Sequence, residues 1–320
     1  MDKKKQILDI LNVLRQKATA EADKFRAIAF SKAIKAIEKL PAVTSLDDLT
    51  GVPGVGSGVK DRVAELFETG HLLEADEAKE EYSLDAYNVL QEVHGIGPAK
   101  ARDLIKQGIK TIAQLQEKVT ANPDLLTHAQ TIGLTYIEDL KKRIPRAEME
   151  KHEAYVRRQL PKEFEMVVVG SYRRGLPNSG DFDVMITSRS LTELVAASHF
   201  QQFIDLLADD GYLRGEFARG DHKFMGVCRL PRHQTHRHVD LLLCKPDEYW
   251  YTILYFTGSD VFNVSMRRYA LTKGYSLSEH GLKRVRDGVP APPAMNSEKD
   301  IFDFLGLEYV KPSDRINPLA

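Results

Sequence analysis

The stretch VVVGSYRRGLPNSGDFDVMIT, residues 167–187, decides how the second half of this chain is read. A hydrophobic strand, Met166-Val167-Val168-Val169, runs into Gly170-Ser171. A polar and basic turn follows, and a second strand carries Asp181 and Asp183. Residues i and i+2 of a strand project from one face, so the spacing predicts two carboxylates side by side. Like charges held that close are costly unless a cation sits between them. Hard oxygen ligands select Mg²⁺ or Mn²⁺. Asp240 adds a third carboxylate inside the apolar strand Val239-Asp240-Leu241-Leu242-Leu243, where a charge needs a partner. Such a set suits two metal ions about 3.5–4 Å apart, which activate an attacking hydroxyl and stabilise a leaving pyrophosphate. Gly170 and Ser171 offer a close backbone N–H and a hydroxyl to a phosphate, and Arg173 and Arg174 offer charge to the rest of a triphosphate. A D-x-D pair alone is most often a solvated strand edge. The upstream Gly-Ser, the two arginines and the third aspartate lift this one above that reading.

Working outward, helical stretches around residues 191–197 and 203–207 separate the strands, so this half reads as α+β. The basic, proline-marked segment Lys141-Lys142-Arg143-Ile144-Pro145-Arg146 predicts a boundary before it. Upstream the texture is helical: Ile7, Leu8, Leu11 and Leu14 recur at helical spacing, as do Ile28, Ala33, Ile34 and Ile37, until Pro41 ends the run. Two related segments follow, LTGVPGVGSGVKDRVAELFETGHL (49–72) and VHGIGPAKARDLIKQGIKTIAQL (93–115). Each places a Gly-apolar-Gly step before a helix of mixed charge. Glycine permits a tight turn and close approach of a ligand, and the free N–H groups at the next helix start favour an anion. Two such turns suit two points on one phosphodiester backbone; the plainer reading is a pair of ordinary helix entries.

Composition sets outer limits. With 320 residues and 42% hydrophobic content, the chain supports two or more folded units. No run approaches the ~20 apolar residues that span a bilayer, and MDKKKQILDI lacks the features of a secretory signal. Cys228 and Cys244 have no metal-like spacing, and disulfides are not expected, so an intracellular, reducing compartment is the default. The net charge of −1 argues weakly against a nucleic-acid partner, but backbone N–H groups bind phosphate without net charge.

Taken in order, these motifs resemble DNA polymerase beta and the X family of DNA polymerases over nearly the whole chain. The resemblance rests on the two glycine turns (that family's helix-hairpin-helix motifs), KRIPR at 142–146, GSYRRG with SGDFDV, KFMGVCRLP at 223–231, YFTGSDVFN at 255–263 and SEKDIFDFLGLEY at 297–309. With no BRCT-like region ahead of them, the layout is similar to the family's short form. The resemblance implies an α+β chain: an all-α N-terminal half with two helix-hairpin-helix motifs, a nucleotidyltransferase palm with a mixed β-sheet and helices, and a small α+β C-terminal subdomain. The implied domains are 1–78 (lyase-like), 79–141 (thumb-like), 142–246 (palm) and 247–320 (nucleotide-selecting).

It also implies roles. Asp181 and Asp183 would bind two Mg²⁺ or Mn²⁺ ions, and Asp240 the catalytic one, with Asp240 also accepting the proton of a primer 3′-hydroxyl. Arg143, Ser171, Arg174, Ser179 and Gly180 would hold the triphosphate. Tyr255, Phe256 and Gly258 would line the sugar side and exclude a ribose 2′-hydroxyl. Asp260 and Asn263 would meet the incoming base, and Arg267 the template strand. Carbonyls of Val52, Val55, Val93 and Ile96 would hold a monovalent cation, Na⁺ or K⁺, while N–H groups of Gly54, Gly56, Gly95 and Gly97 meet DNA phosphates. The implied partners are gapped or nicked double-stranded DNA and dNTPs, with no membrane, for a monomer working in short-gap repair. A nuclear setting is expected in a eukaryote, with a viral one equally open.

Three departures matter. Arg62 stands where lyase-active relatives carry their Schiff-base lysine, counting from Gly54-Val55-Gly56. A guanidinium, with a pKa above about 12, cannot attack as an amine. Arg26, Phe30 and Gly58 also replace a lysine, a tyrosine and a phosphate-binding lysine, so 5′-deoxyribose phosphate lyase activity is expected to be weak or absent. Lys60 lies about 200° around the helix from Arg62, which leaves Lys32 or Lys35 as substitutes. His238 replaces an arginine that orients the carboxylates, so activity is expected to fall below about pH 6.5–7, or the metal preference to shift. Val264 replaces a basic residue on the template, which implies looser base contacts. Two rival readings stay open: a tailing enzyme that needs no template, and a DNA-binding module without chemistry. The paired hairpins, YFTGSD and the short stretch between Pro231 and Arg237 weigh against the first. The three carboxylates weigh against the second.

Overall fold

The computed structural model describes residues 3–81 and 83–319, without side chains for residues 80 and 81; Met1, Asp2, Tyr82 and Ala320 lie outside the described residues. The chain divides into two units, Met1–Leu134 and Thr135–Ala320.

The first unit is helical throughout its described elements. Helices Lys3–Ala20, Lys24–Glu38 and Ser57–Thr69 share a core of Ile7, Leu11, Leu14, Ala33, Ile34, Ile37, Val59, Val63 and Leu66. Ile28, although in helical phase with that stripe, is 53% exposed. The helix Ser57–Thr69 stops on left-handed Gly70, whose N–H donates to the Leu66 carbonyl.

Both glycine turns adopt one backbone. Gly54 and Gly95 take φ values of 94° and 81°, a region that glycine enters without steric cost. Val55 N–H donates to Val52 O at 3.1 Å, and Ile96 N–H to Val93 O at 3.0 Å. Extended Gly56 and Gly97 then cap helices Ser57–Thr69 and Pro98–Lys106. The repeat seen in the sequence is therefore a repeat in space, residue for residue.

The observed division after Leu134 comes earlier than the basic segment at 141–146 suggests. Residues between the two positions are held by the second unit. Asp139 Oδ2 accepts from His236 N at 3.0 Å and lies 2.9 Å from His236 Nδ1, and the Tyr136 ring sits 4.3 Å from that imidazole.

The second unit holds nine strands among its described residues: β1 (Ile144–Pro145), β2 (Glu165–Val168), β3 (Asn178–Ser179), β4 (Phe182–Thr187), β5 (Leu213–Gly220), β6 (Lys223–Cys228), β7 (Arg237–Cys244), β8 (Tyr275–Ser278) and β9 (Gly281–Arg284). Five form a mixed sheet in the order β2-β4-β7-β6-β5, in which β4 and β7 run parallel and the other neighbours antiparallel. The helical stretches expected around 191–197 and 203–207 are one helix, Glu193–Asp209. Together with Arg146–Gln159 it contributes Met149, Val156, Phe200, Phe203 and Leu207 to a core shared with Phe182, Val184, Val239 and Leu241. Strand alternation then sends Asp183, His238 and Asp240 to the opposite face, where each is only half-buried. Farther along, helices Tyr249–Thr257, Asp260–Thr272 and Glu298–Leu305 and the β8–β9 hairpin enclose a separate core that includes Phe262, Met266, Ile301, Phe302 and Leu305. The observed class is α+β.

Candidate active site

Parallel pairing of β4 with β7 sets Asp183 directly opposite Asp240. Asp181, expected on the same strand, lies instead in the bend before β4. The cause is the short pair β1–β3, which holds Asn178 and Ser179 away from the sheet and leaves Gly180 and Asp181 to make the turn. The carboxylates still feel one another. Burial pushes Asp183 far above the ordinary carboxylate range, and Asp181 and Asp240 push it further. Burial also raises Asp240, against the opposing pull of His238 and Lys223.

Among the described residues, Asp240 Oδ1 is buried without a hydrogen-bond partner. Its nearest cationic neighbours stand back: His238 Nδ1 is 3.7 Å from Oδ1, and Lys223 Nζ 3.9 Å from Oδ2. A buried, unpartnered carboxylate oxygen beside a second raised carboxylate fits a divalent cation. Among the described residues, no group of three or more His, Cys, Asp and Glu makes a finished metal cage. Mg²⁺ rarely uses one, since it takes one or two carboxylates and completes its shell with water and substrate phosphate.

Gly170 explains how the carboxylates come so near the backbone. It turns the chain out of β2 at φ 61°, and a Cβ at this position would lie 2.5 Å from Asp183 Oδ2. Val169 N–H donates to Asp183 O at 2.9 Å and locks the turn against β4. Ser171 is the second residue of the short helix Gly170–Arg173 that follows.

The residues expected on the phosphate side fall into two groups. Arg143, just ahead of β1, donates to Asn178 Oδ1 at 2.8 Å and Asn178 O at 3.0 Å, which sets it beside Ser179 and Gly180. A Cβ on Gly180 would come within 3.1 Å of that guanidinium. The Ser179 hydroxyl is buried, with no hydrogen-bond partner among the described residues. Arg174 donates to Thr257 O and packs on Gly258, where a Cβ would lie 3.1 Å from its Nη1. Burial pulls the Arg174 pKa down, while Asp260, Asp181 and Asp183 pull it up. Arg173 does not share this role. Its guanidinium is committed to Glu298 at 2.5 Å and to Thr257 Oγ1 at 2.6 Å, so its charge is spent inside the fold.

On the C-terminal side, Tyr255 and Phe256 meet edge to face, 5.0 Å between centroids. Asn263 donates to Tyr255 O at 2.7 Å, and Arg267 lies 4.7 Å over the Tyr255 ring while pairing with Glu279 at 3.2 Å. Exposed Asp260 opens the helix Asp260–Thr272, and Val264 is exposed along it. These side chains are thus gathered, with Asn263 and Arg267 engaged within the chain.

In the first unit, the position expected for a lyase lysine is occupied by an ion cluster. Arg62 donates to Glu74 at 2.7 Å and to Gly58 O at 2.7 Å, and Arg26 lies 3.5 Å from the same Glu74.

Four segments match known families in chain order: a helix-hairpin-helix domain (2–72), the fingers domain of DNA polymerase lambda (88–141), the DNA polymerase beta palm (143–246) and the DNA polymerase beta thumb (252–316). The chain is 33% identical to DNA polymerase lambda of Rattus norvegicus over 97% of its own length and 56% of the relative's. It is 31% identical to DNA polymerase lambda of Arabidopsis thaliana, covering 98% of this chain and 62% of that one. The chain belongs to the X family of DNA polymerases. A DNA nucleotidylexotransferase of Xenopus laevis is more distant, at 26% identity over 96% of this chain and 67% of the relative. The chain spans about three-fifths of the length of the polymerase lambda relatives it matches, 62% and 56%.

Membership in the X family places the palm on the sheet that carries the carboxylates. It also draws attention to residues that sequence reasoning passed over. Arg237, buried, pairs with Glu148 at 2.7 and 2.8 Å and anchors the start of β7. Lys223 was legible only as the first residue of KFMGVC; β6–β7 pairing brings it near Asp240.

Proposed function

We propose that this chain is a template-directed DNA polymerase that fills short gaps in double-stranded DNA, adding dNTPs to a primer 3′-hydroxyl with release of pyrophosphate. The observation that carries it is the Asp183–Asp240 register with a buried, unpartnered oxygen on Asp240. Asp181 and Asp183 would hold two divalent ions, Mg²⁺ by preference, and Asp240 one of them. Once bound, the ions supply Lewis-acid activation of the hydroxyl and neutralise phosphate charge. Asp240 accepts the hydroxyl proton. Arg143, Ser171, Arg174, Ser179 and Gly180 orient the triphosphate through hydrogen bonds and charge. Tyr255, Phe256 and Gly258 contact the sugar, Asp260 and Asn263 the base, and Arg267 the template once released from Glu279. Val52, Val55, Val93 and Ile96 carbonyls hold Na⁺ or K⁺ at the hairpins, and Gly54, Gly56, Gly95 and Gly97 N–H groups bind DNA phosphates. The domain limits 1–78, 79–141, 142–246 and 247–320, a monomeric state and a nuclear setting belong to the same reading.

Incorporation into a one-nucleotide gap, measured with each of the four template bases in turn, tests this. The complementary dNTP is expected to enter at least about 100-fold faster than the others, a margin that needs selective transition-state contacts. Addition regardless of template, or an equal rate on single-stranded DNA, would move the chain to a tailing enzyme like the more distant relative.

Lyase activity is proposed to be weak or absent. Arg62 cannot form a Schiff base and is tied to Glu74 and Gly58. Borohydride is therefore expected to trap little or no protein on a 5′-deoxyribose phosphate end. Efficient trapping, lost on replacing the exposed Lys32 or Lys35, would overturn this and name the substitute amine.

A further inference from the structure

Phe217 sits where the ladder of the edge strand β5 breaks. Glu216 pairs with Gly226 and Ala218 with Met225, so Phe217 is the extra residue of a β-bulge. A second irregularity lies between Leu213 and Gly215. Bulges bend a strand and re-aim a side chain, and they recur beside active sites. This one leans onto Gly226, where any Cβ would collide with the Gly215 carbonyl oxygen and the Phe224 ring. The absence of a side chain at 226 lets β5 close in.

The result is a contact across the intervening strand. The order β7-β6-β5 places β6 between them, yet the Phe217 ring stacks on the His238 imidazole of β7, centroids 5.4 Å apart and planes at 22°. His238 Nδ1 lies 3.7 Å from Asp240 Oδ1, the buried oxygen that has no hydrogen-bond partner among the described residues. That separation is too long for a hydrogen bond, so the ring's position relative to the carboxylate is sensitive to its packing. The Phe217 ring packs on the face of that imidazole and restricts its lateral position.

We propose that Phe217 is a positioning residue, whose ring holds His238 against Asp240 and so keeps the Asp240 carboxylate oriented for primer extension. The inference rests on the polymerase reading above. It does not make Phe217 a catalytic residue, because its ring acts only through His238.

The test compares wild type, Phe217→Ala, Phe217→Tyr, His238→Ala, the Phe217→Ala/His238→Ala double variant and Asp240→Ala on a one-nucleotide gap. Loss of one aromatic stack is expected to lower kcat about tenfold in Phe217→Ala while the dNTP KM stays within about twofold. Phe217→Tyr, which keeps the stack, is expected to retain the wild-type rate within about threefold. In the double variant, Phe217→Ala is expected to add less than about twofold to the His238→Ala loss, because coupled neighbours are not additive. A readout independent of activity is the His238 imidazole proton signal, which the Phe217 ring shifts in wild type and which is expected to move in Phe217→Ala with the melting temperature within about 4 °C. Equal losses with and without His238, an unmoved imidazole signal, or a Phe217→Ala variant as fast as wild type would each overturn the inference and leave the polymerase reading intact. A wild type no more active than Asp240→Ala would overturn that reading and the inference with it.

Discussion

Gly170→Ala is expected to lower nucleotide incorporation by at least about 100-fold, since a misplacement of about 1 Å at a reacting group costs that much. The new Cβ would stand 2.5 Å from Asp183 Oδ2, closer than two such atoms can approach. The backbone cannot yield easily, because the Val169–Asp183 hydrogen bond ties the turn to β4. The carboxylate must therefore swing away from its place opposite Asp240. A second cost is conformational: a non-glycine residue at φ 61° gives up about 1–2 kcal/mol. Gly175→Ala separates the two effects. Gly175 also has positive φ, at 83°, but a Cβ there would meet nothing within 4 Å. It is expected to lose similar stability while its incorporation rate stays within about threefold of wild type, as for a site with no contact to the reacting groups. Single-turnover rates and thermal melts of both variants check this.

Glu298→Gln is expected to destabilise the second unit by about 3–5 kcal/mol, the cost of breaking a buried ion pair from one side. Glu298 is 4% exposed and accepts from two guanidiniums, Arg173 at 2.5 Å and Arg315 at 2.6 Å. Arg315 is fully buried, among the rings of Phe262, Phe302 and Tyr309. Glutamine keeps the shape but removes the carboxylate that these two arginines share. For a unit of this size the melting temperature is expected to fall by about 10 °C. The same bonds connect the Gly170–Arg173 helix, through Arg173, to the helix Glu298–Leu305 and to Thr257. A rise in the dNTP KM that exceeds the change in kcat is expected alongside. A melting temperature within about 2 °C of wild type would show that the network contributes little.

Much of this architecture is legible in local patterns. The β4 and β7 carboxylates stand out because a charge in an apolar strand has few explanations. The twin hairpins stand out because glycine at one place in each copy marks a backbone that other residues avoid. What is not legible depends on partners distant in sequence. Period-2 spacing predicts Asp181 and Asp183 on one strand, but the β1–β3 pair pulls Asp181 into a bend, and nothing near Asp181 announces that pairing. Arg173 looked equivalent to Arg174 until Glu298, 125 positions later, claimed its charge. Residues 135–140 looked like the end of a helical half, yet Asp139 and Tyr136 are held by His236. Phe217 carries no motif; only a register shift reveals where its ring goes.

The proposed polymerase chemistry turns on Asp240, opposite Asp183. Its most direct test is extension of a primer across a one-nucleotide gap with Mg²⁺ or Mn²⁺, beside Asp240→Ala. Addition of the complementary dNTP by wild type is expected, with a loss of at least about 1,000-fold in the variant and unchanged affinity for the gapped DNA. Wild-type protein that binds the gap but adds nothing with either ion, or an Asp240→Ala variant that extends as fast as wild type, would contradict it.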